Sequence, residues 1–310
     1  RIIDRPLRPM FDENLRQEIQ VVNTVLSVDQ DNSPVMTALF GSSLALGISE
    51  IPFDGPVCGV VVGKIGKEYI INPTVEELER SEFNLTVAGT KDAICMVEAG
   101  ANECSEKVVL DGILFGHEAI KKLCEFQSEI IASIGKEKVE LDKAELESDL
   151  VEAVTNYAYE NILEAIQMKD KLASQNRVEE IKQQAIGYFS AMYLEDENLD
   201  AKLKQINKIL YNLEADAVRS LITEKHIRPD GRAMDEIRPL DAMVDLLPRT
   251  HGSAVFTRGQ TQSLATTTLG AIGEHQILDG LGIEDAKRFM LHYNFPAFSV
   301  GEIGRYGSPG

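Results

Sequence analysis

The sequence predicts an α+β chain with an all-helical segment in its middle. Three observations carry that expectation. From the start to about Lys136, alternating β-branched runs mix with helical patterns. From Glu137 to Lys225 there is no proline, Gly187 is the sole glycine, and apolar residues recur three and four apart. From His226 onward, short β-type runs return, punctuated by glycine and proline. Blocks of strands followed by helices indicate α+β layering, not a βαβ array. The expected segments are residues 1–136, 137–225 and 226–310.

Along the first segment, "QEIQVVNTVLSVD" alternates and reads as a strand. "SPVMTALFGSSLALGI" follows Asn32 and Ser33, two candidate caps, with Pro34 in the first helical turn. "CGVVVGKIG" and "EYIINPT" read as strands joined by a Gly-Lys turn, and "FNLTVAGTKDAICMVEAGA" as two strands around Gly89–Asp92. A long amphipathic helix follows, with Ser105 as N-cap and Gly135 as its stop. In the middle segment, "DKAELESDLVEAVTNYAYENILEAIQ", "ASQNRVEEIKQQAIGYFSAMY" and "NLDAKLKQINKILYNLEADAVRSLI" predict a bundle of three to four helices. In the last segment, "IRPLDAMVDLLPRTHGSAVFTRGQTQSLATTTLG" has strand runs broken by Pro248, Gly252 and Gly259, and "RFMLHYNFPAFSV" reads as another strand. That segment cannot bury both faces of a sheet alone and reads as half a domain.

The formal charge is −19, with 50 acidic against 31 basic residues. Such a balance disfavours indiscriminate binding to nucleic acid or membranes, but leaves room for a local basic groove. The simplest reading of the middle segment's acids is a solvated outer face. Cys58, Cys95, Cys104 and Cys124 show no CxxC spacing and read as reduced structural thiols. No membrane span or secretory pattern is visible, which makes a cytoplasmic location the expectation. Arg1 is no natural start and "RYGSPG" is a turn composition, so the chain reads as an internal piece of a longer protein.

Three stretches carry candidate chemistry. In "IRPDGRAMDEIRPL", Pro-Asp-Gly is a turn, and Arg228 and Arg232 are expected to project from it as phosphate ligands or as solvated surface arginines. In "RTHGSAVFTRGQTQSLATTTLG", an unusually polar strand carries Arg258, Gln260, Thr261 and Gln262, and "TRG" is a turn that exposes the arginine. At the start, Arg1, Arg5 and Arg8 have the spacing of one helix face, although Pro6 and Pro9 oppose a continuous helix. The five histidines, His251 among them, lack metal-ligand spacing.

Taken together and in order, "RIIDRPLRPMF", "GSSLALGIS", "IPFDGPV", "NPTVEELERSEFNLTVAGTKDAICMVEAGA", "RPDGR", "LPRTHGSAVFTRGQTQSLATTTLG" and "HYNFPAFSVGEIGRYGSPG" strongly resemble the bacterial polynucleotide phosphorylase family. The resemblance implies two RNase PH-like cores joined by an all-helical domain, followed by KH and OB-fold domains, in a homotrimeric ring. It implies 3′-to-5′ phosphorolysis of single-stranded RNA, with inorganic phosphate as substrate, nucleoside diphosphates as products and reversal to polymerisation. Residues 1–136 then correspond to the C-terminal half of the first core, 137–225 to the helical domain and 226–310 to the N-terminal half of the second core. Mg2+ is expected, with its ligands outside this chain, as are an Arg-Arg-Glu loop and a serine-rich phosphate turn. Proteins of RNA-degradation complexes are further candidate partners.

Mapped onto these positions, Arg232 is the catalytic candidate, for a phosphate or RNA-backbone contact. Arg1, Arg5, Arg8 and Arg258 are RNA- or phosphate-binding candidates. In the first core, Ser33-Pro34-Val35 replaces the serine run and Asn84 stands where the family's catalytic core has a metal-binding aspartate. An amide lacks the charge a hard cation needs, so the first core reads as non-catalytic. Ala297 and Ile303 depart from the family's usual Pro and Thr. The 310 residues alone are expected to be inactive. The alternative is a non-catalytic RNase PH-type ring subunit that binds RNA or scaffolds an assembly.

Overall fold

A computed structural model describes residues 1–15, 17–141, 146–282 and 284–305. The chain divides into two compact units, Arg1–Lys143 with Ala271–Gly310, and Ala144–Gly270.

The first unit is built on a four-stranded antiparallel sheet. One helical turn, α1 (Asp4–Leu7), runs into a 3-10 turn at Arg8–Met10. Pro6 sits within the first turn, where no intrahelical amide bond is lost. Helix α2 (Pro34–Ile48) starts where Ser33 accepts the Val35 amide and Pro34 presets the backbone. At its other end, the Lys138 ammonium donates to the carbonyls of Leu46, Gly47 and Ser49, at 2.9, 2.8 and 2.7 Å. A cation there satisfies carbonyls that the helix leaves open.

Strands β1 (Cys58–Ile65) and β2 (Glu68–Ile71) form a hairpin through Gly66, whose φ of +61° needs no side chain. The short α3 (Val75–Glu79) has a capping box between Thr74 and Glu77. Strands β3 (Phe83–Gly89) and β4 (Ile94–Ala101) complete the order β2-β1-β3-β4. Helix α4 (Glu106–Ile134) begins at Ser105, which accepts the Val108 amide, and stops at Gly135.

Alternation along the strands makes two apolar layers. Cys58, Val60, Val62, Phe83, Leu85 and Val87 pack with Ile120 and Cys124 of α4. Val57, Ala88 and Met96 pack with Leu39 and Leu46 of α2 and with Leu7. All four cysteines are free. The neighbouring Cys124 side chain and burial push the Cys58 thiol up, so it stays protonated.

The second unit holds α5 (Ser148–Ala165), α6 (Lys171–Met192) and α7 (Leu199–Thr223). Their inward residues recur at helical spacing: Leu150, Val154, Ala158 and Ile162; Ile181, Ala185 and Phe189; Leu210, Leu213, Ala217 and Leu221. An antiparallel sheet in the order β5 (Leu240–Val244), β6 (Gly252–Arg258), β7 (Thr261–Thr267) follows. Among its residues only Ser253 and Val255 are buried. Back in the first unit, β8 (Gln276–Ile277) and β9 (Ala286–Lys287) form a two-residue ladder.

Two expected strands are corrected. "QEIQVVNTVLSVD" makes no ladder, and its Val22 and Leu26 are exposed. "RFMLHYNFPAFSV" also joins no sheet, and its end winds into a 3-10 turn at Ala297–Val300. Alternation makes a segment suited to a sheet, but a strand exists only against a neighbour, and neither segment has one among the described residues. Residues 142–145 of the first expected bundle helix, and most of "RYGSPG", lie outside the described residues.

Candidate nucleic-acid interface

The second unit places Arg228 and Arg232 on the Pro-Asp-Gly turn, with Arg238 and Lys169 beside it. The turn forms as expected. Gly231 takes φ +78° and its amide donates to the Arg228 carbonyl at 2.8 Å, while the Arg228 amide donates to the Arg232 carbonyl at 3.0 Å. The arginines, however, do not simply project. Arg232 Nε donates to Asp230 Oδ2 at 2.8 Å and its Nη1 to the Glu236 carbonyl at 3.0 Å, which leaves the side chain 11% exposed. Arg228 Nη1 donates to that same Glu236 carbonyl at 3.0 Å. A nearby carbonyl and an adjacent carboxylate hold each guanidinium on so short a loop, and both arginines fold back.

Asp230 is the hub. Burial alone would raise its carboxyl, but the Arg232 hydrogen bond and charge, with the Arg238 charge, hold it below the usual range. Arg238 Nε lies 3.5 Å from Asp230 Oδ2. Asp230 Oδ1 is buried without a hydrogen-bond partner. The Glu236 carboxylate turns away, to the Ala233 amide.

The β6–β7 hairpin tip meets this loop. Gly259, at φ +60°, donates its amide to the Pro239 carbonyl at 2.9 Å, and a Cβ there would stand 3.1 Å from Arg238 Cδ. Glycine therefore lets the Arg238 stem lie across the tip. Arg258, one residue before, pairs with Leu240 across β5–β6 and is exposed. Gln260 donates to Asp170 Oδ2 at 3.0 Å, and Asp170 in turn caps α6 through the Ala173 amide at 2.7 Å. Those two bonds, the amide foremost, lower the Asp170 carboxyl. Lys169 lies beside Gly231 and is exposed.

The first unit has a smaller basic group. Arg1 Nε and Arg5 Nη1 converge on Glu98 Oε2 of β4, at 3.6 and 3.7 Å. Arg8 departs from that pair and binds Asp4, with Nη2 2.6 Å from Oδ1. Two of the three arginines thus share a face. Asn84 lies within β3, opposite Gly63 and Gly100. Among the described residues no three His, Cys, Asp or Glu side chains are grouped to hold a metal ion. Those residues do not fit a resident Mg2+. None of the helices among them is long and apolar enough to cross a membrane.

Sequence reasoning alone singles out Arg232 and Arg258. It passes over Arg238 and the anchoring role of Asp230, because the two stand eight positions apart and only the fold closes that gap.

Comparison with known proteins covers nearly all of these residues. The family "3' exoribonuclease family, domain 1" matches residues 1–52 and 236–310, and its domain 2 matches 55–119. "Polyribonucleotide nucleotidyltransferase, RNA binding domain" matches 149–233. Over all 310 residues the chain is 56% identical to a polyribonucleotide nucleotidyltransferase of Bacillus licheniformis and 54% identical to that of Bacillus subtilis. It is 52% identical to that of Enterococcus faecalis. The chain spans 43–44% of the length of these relatives.

Proposed function

The chain belongs to the polyribonucleotide nucleotidyltransferase family, and from that premise we propose that it forms part of a 3′-to-5′ phosphorolytic exoribonuclease. Such an enzyme uses inorganic phosphate to release nucleoside diphosphates from RNA and runs in reverse as a polymerase. The observation that carries the reading is an end-to-end match at 56% identity, with the two exoribonuclease domains and the RNA-binding domain falling in order.

In this reading residues 1–136 belong to a first core, 137–225 to the helical domain and 226–310 to a second core. The helical segment matches a family described as an RNA binding domain, and the arginine group in the same unit supports an RNA contact there. Phosphorolysis is an in-line attack on a phosphodiester, and preorganised cations stabilise the charge that develops. Arg232 suits that task because its position is held by Asp230 and the Glu236 carbonyl, with Nη2 left over. Arg258 adds an exposed cation at the end of β6, and Arg1, Arg5 and Arg8 supply a second RNA-facing group. In this reading Mg2+ is held by residues outside this chain. A homotrimeric ring, partners from RNA-degradation assemblies and a cytoplasmic location complete the proposal.

The test uses the full-length polypeptide that contains this chain. It should release nucleoside diphosphates from single-stranded RNA only when phosphate is supplied. Release of nucleoside monophosphates without phosphate would overturn the reading. Arg232→Ala should lose most of the activity while the assembly mass stays unchanged; unaltered turnover would remove Arg232 from the site.

A further inference from the structure

We propose that Arg238 and Arg258 form an oxyanion subsite of the phosphate class, with Asp230 as the positioning residue that aims Arg238. The inference rests on the phosphorolytic reading and extends it to Arg238, to which that reading gives no role, and to a second task for Asp230.

Four observations lead there. First, Arg232 is nearly spent: its Nε and Nη1 are already bonded, and its side chain is 11% exposed. Arg238 is the opposite case. Only its Nε approaches Asp230, the side chain is 44% exposed, and its two terminal nitrogens make no hydrogen bond or ion pair among the described residues. A guanidinium anchored at Nε and free at both terminal nitrogens presents the fork that pairs two-pronged with a phosphate. Second, one carboxylate oxygen, Asp230 Oδ2, holds both arginines, while Oδ1 is buried without a partner. An oxygen left unpaired in that position has a cost, and retaining it fits a group whose work is to orient cations.

Third, Gly259 leaves room for the Arg238 stem across the hairpin tip, and Arg258 leaves the same end of the sheet through its pairing with Leu240. The guanidinium of Arg258 has no partner among the described residues. Fourth, basic residues gather at this loop in a chain of charge −19: Arg232 and Arg238 pair with Asp230, Arg228 shares the Glu236 carbonyl with Arg232, and Lys169 lies beside Gly231, while the carboxylates of Asp170, Asp230 and Glu236 are already hydrogen-bonded. A basic island in an acidic chain concentrates anions at one place. The hairpin tip is also tied down, through Gln260 to Asp170, so the two free arginines stand on a braced frame and pay little ordering entropy on binding.

The oxyanion is either an RNA phosphodiester or inorganic phosphate. Steady-state phosphorolysis by the full-length enzyme distinguishes them, with RNA and phosphate varied separately. Arg238→Gln should raise one KM about 10-fold, the loss of a charge-assisted pair, with kcat within about twofold. A rise in the RNA KM identifies a phosphodiester, and the log–log salt dependence of RNA binding should then flatten by about 0.7. A rise in the phosphate KM with RNA affinity unchanged identifies inorganic phosphate. Arg238→Lys keeps the charge on a side chain that solvent tolerates, and should restore part of the loss. Asp230→Asn should raise the same KM and, because it also releases Arg232, lower kcat; combined with Arg238→Gln it should add little to the KM rise, since that part acts through one guanidinium. Unchanged KM values in Arg238→Gln, or a fully additive rise of that KM in the double variant, would overturn the subsite. Absence of phosphate-dependent turnover in the unaltered enzyme would instead overturn the phosphorolytic reading itself.

Discussion

At Asp230 two opposing effects act on one carboxyl. Burial favours the neutral acid, while the hydrogen bond from Arg232 and the charges of Arg232 and Arg238 favour the anion and prevail. A carboxyl held below its unfolded value stabilises the fold above that value, about pH 4, and loses the contribution as pH falls through the folded one. In thermal melts of this chain, Asp230→Asn should therefore be less stable than the parent at neutral pH, with the gap closing in acid. A gap that widens in acid would show that the carboxyl is not held low. The arginines flanking Pro-Asp-Gly are legible in the sequence because that tripeptide has one strong turn preference. Which guanidinium faces solvent is not legible, since it depends on where the Glu236 carbonyl and the Gly259 tip arrive.

At the scale of elements, α4 reaches its sheet through two glycines. A Cβ on Gly112 would stand 2.9 Å from Phe83 Cζ, and one on Gly116 would stand 2.9 Å from Val62 Cγ2. Removing a mid-helix glycine favours the helix by roughly 1 kcal/mol, while overpacking a buried face costs about 1–3 kcal/mol. For Gly116→Ala the two nearly cancel, and the urea midpoint should move little. Gly116→Val, with two more carbons and a β-branch, should lose about 2 kcal/mol; an unchanged midpoint would mean that the sheet yields. The helices are the part of the fold most readable from sequence, since Ser33, Ser105 and Gly135 stand at the ends where local chemistry puts them. The segments around Val22 and Phe289 mislead for the opposite reason. Their alternation is local, but the partner strand that would make them β is not.

At the scale of the whole molecule, the helical bundle and the sheet that follows it differ in self-sufficiency. The bundle core draws every buried residue, from Leu150 to Leu221, from α5 with its C-cap Ile166, α6 and α7. Its acidic faces are partly offset by cross-helix pairs such as Lys182 to Glu214, at 2.6 Å. Sheet β5-β6-β7 has the reverse character: β5 and β7 are exposed throughout, and Met243, Phe256 and Leu264 are all solvent-facing. A closed core supports cooperative folding at about 80 residues, whereas three strands without a covered face do not. A polypeptide of residues 146–224 should thus show a helical circular-dichroism spectrum and a single sigmoidal thermal transition. Residues 236–270 on their own should show no such transition. A broad, featureless melt of the 146–224 piece would mean that its core needs neighbours, and the helical segment would no longer qualify as a domain in its own right.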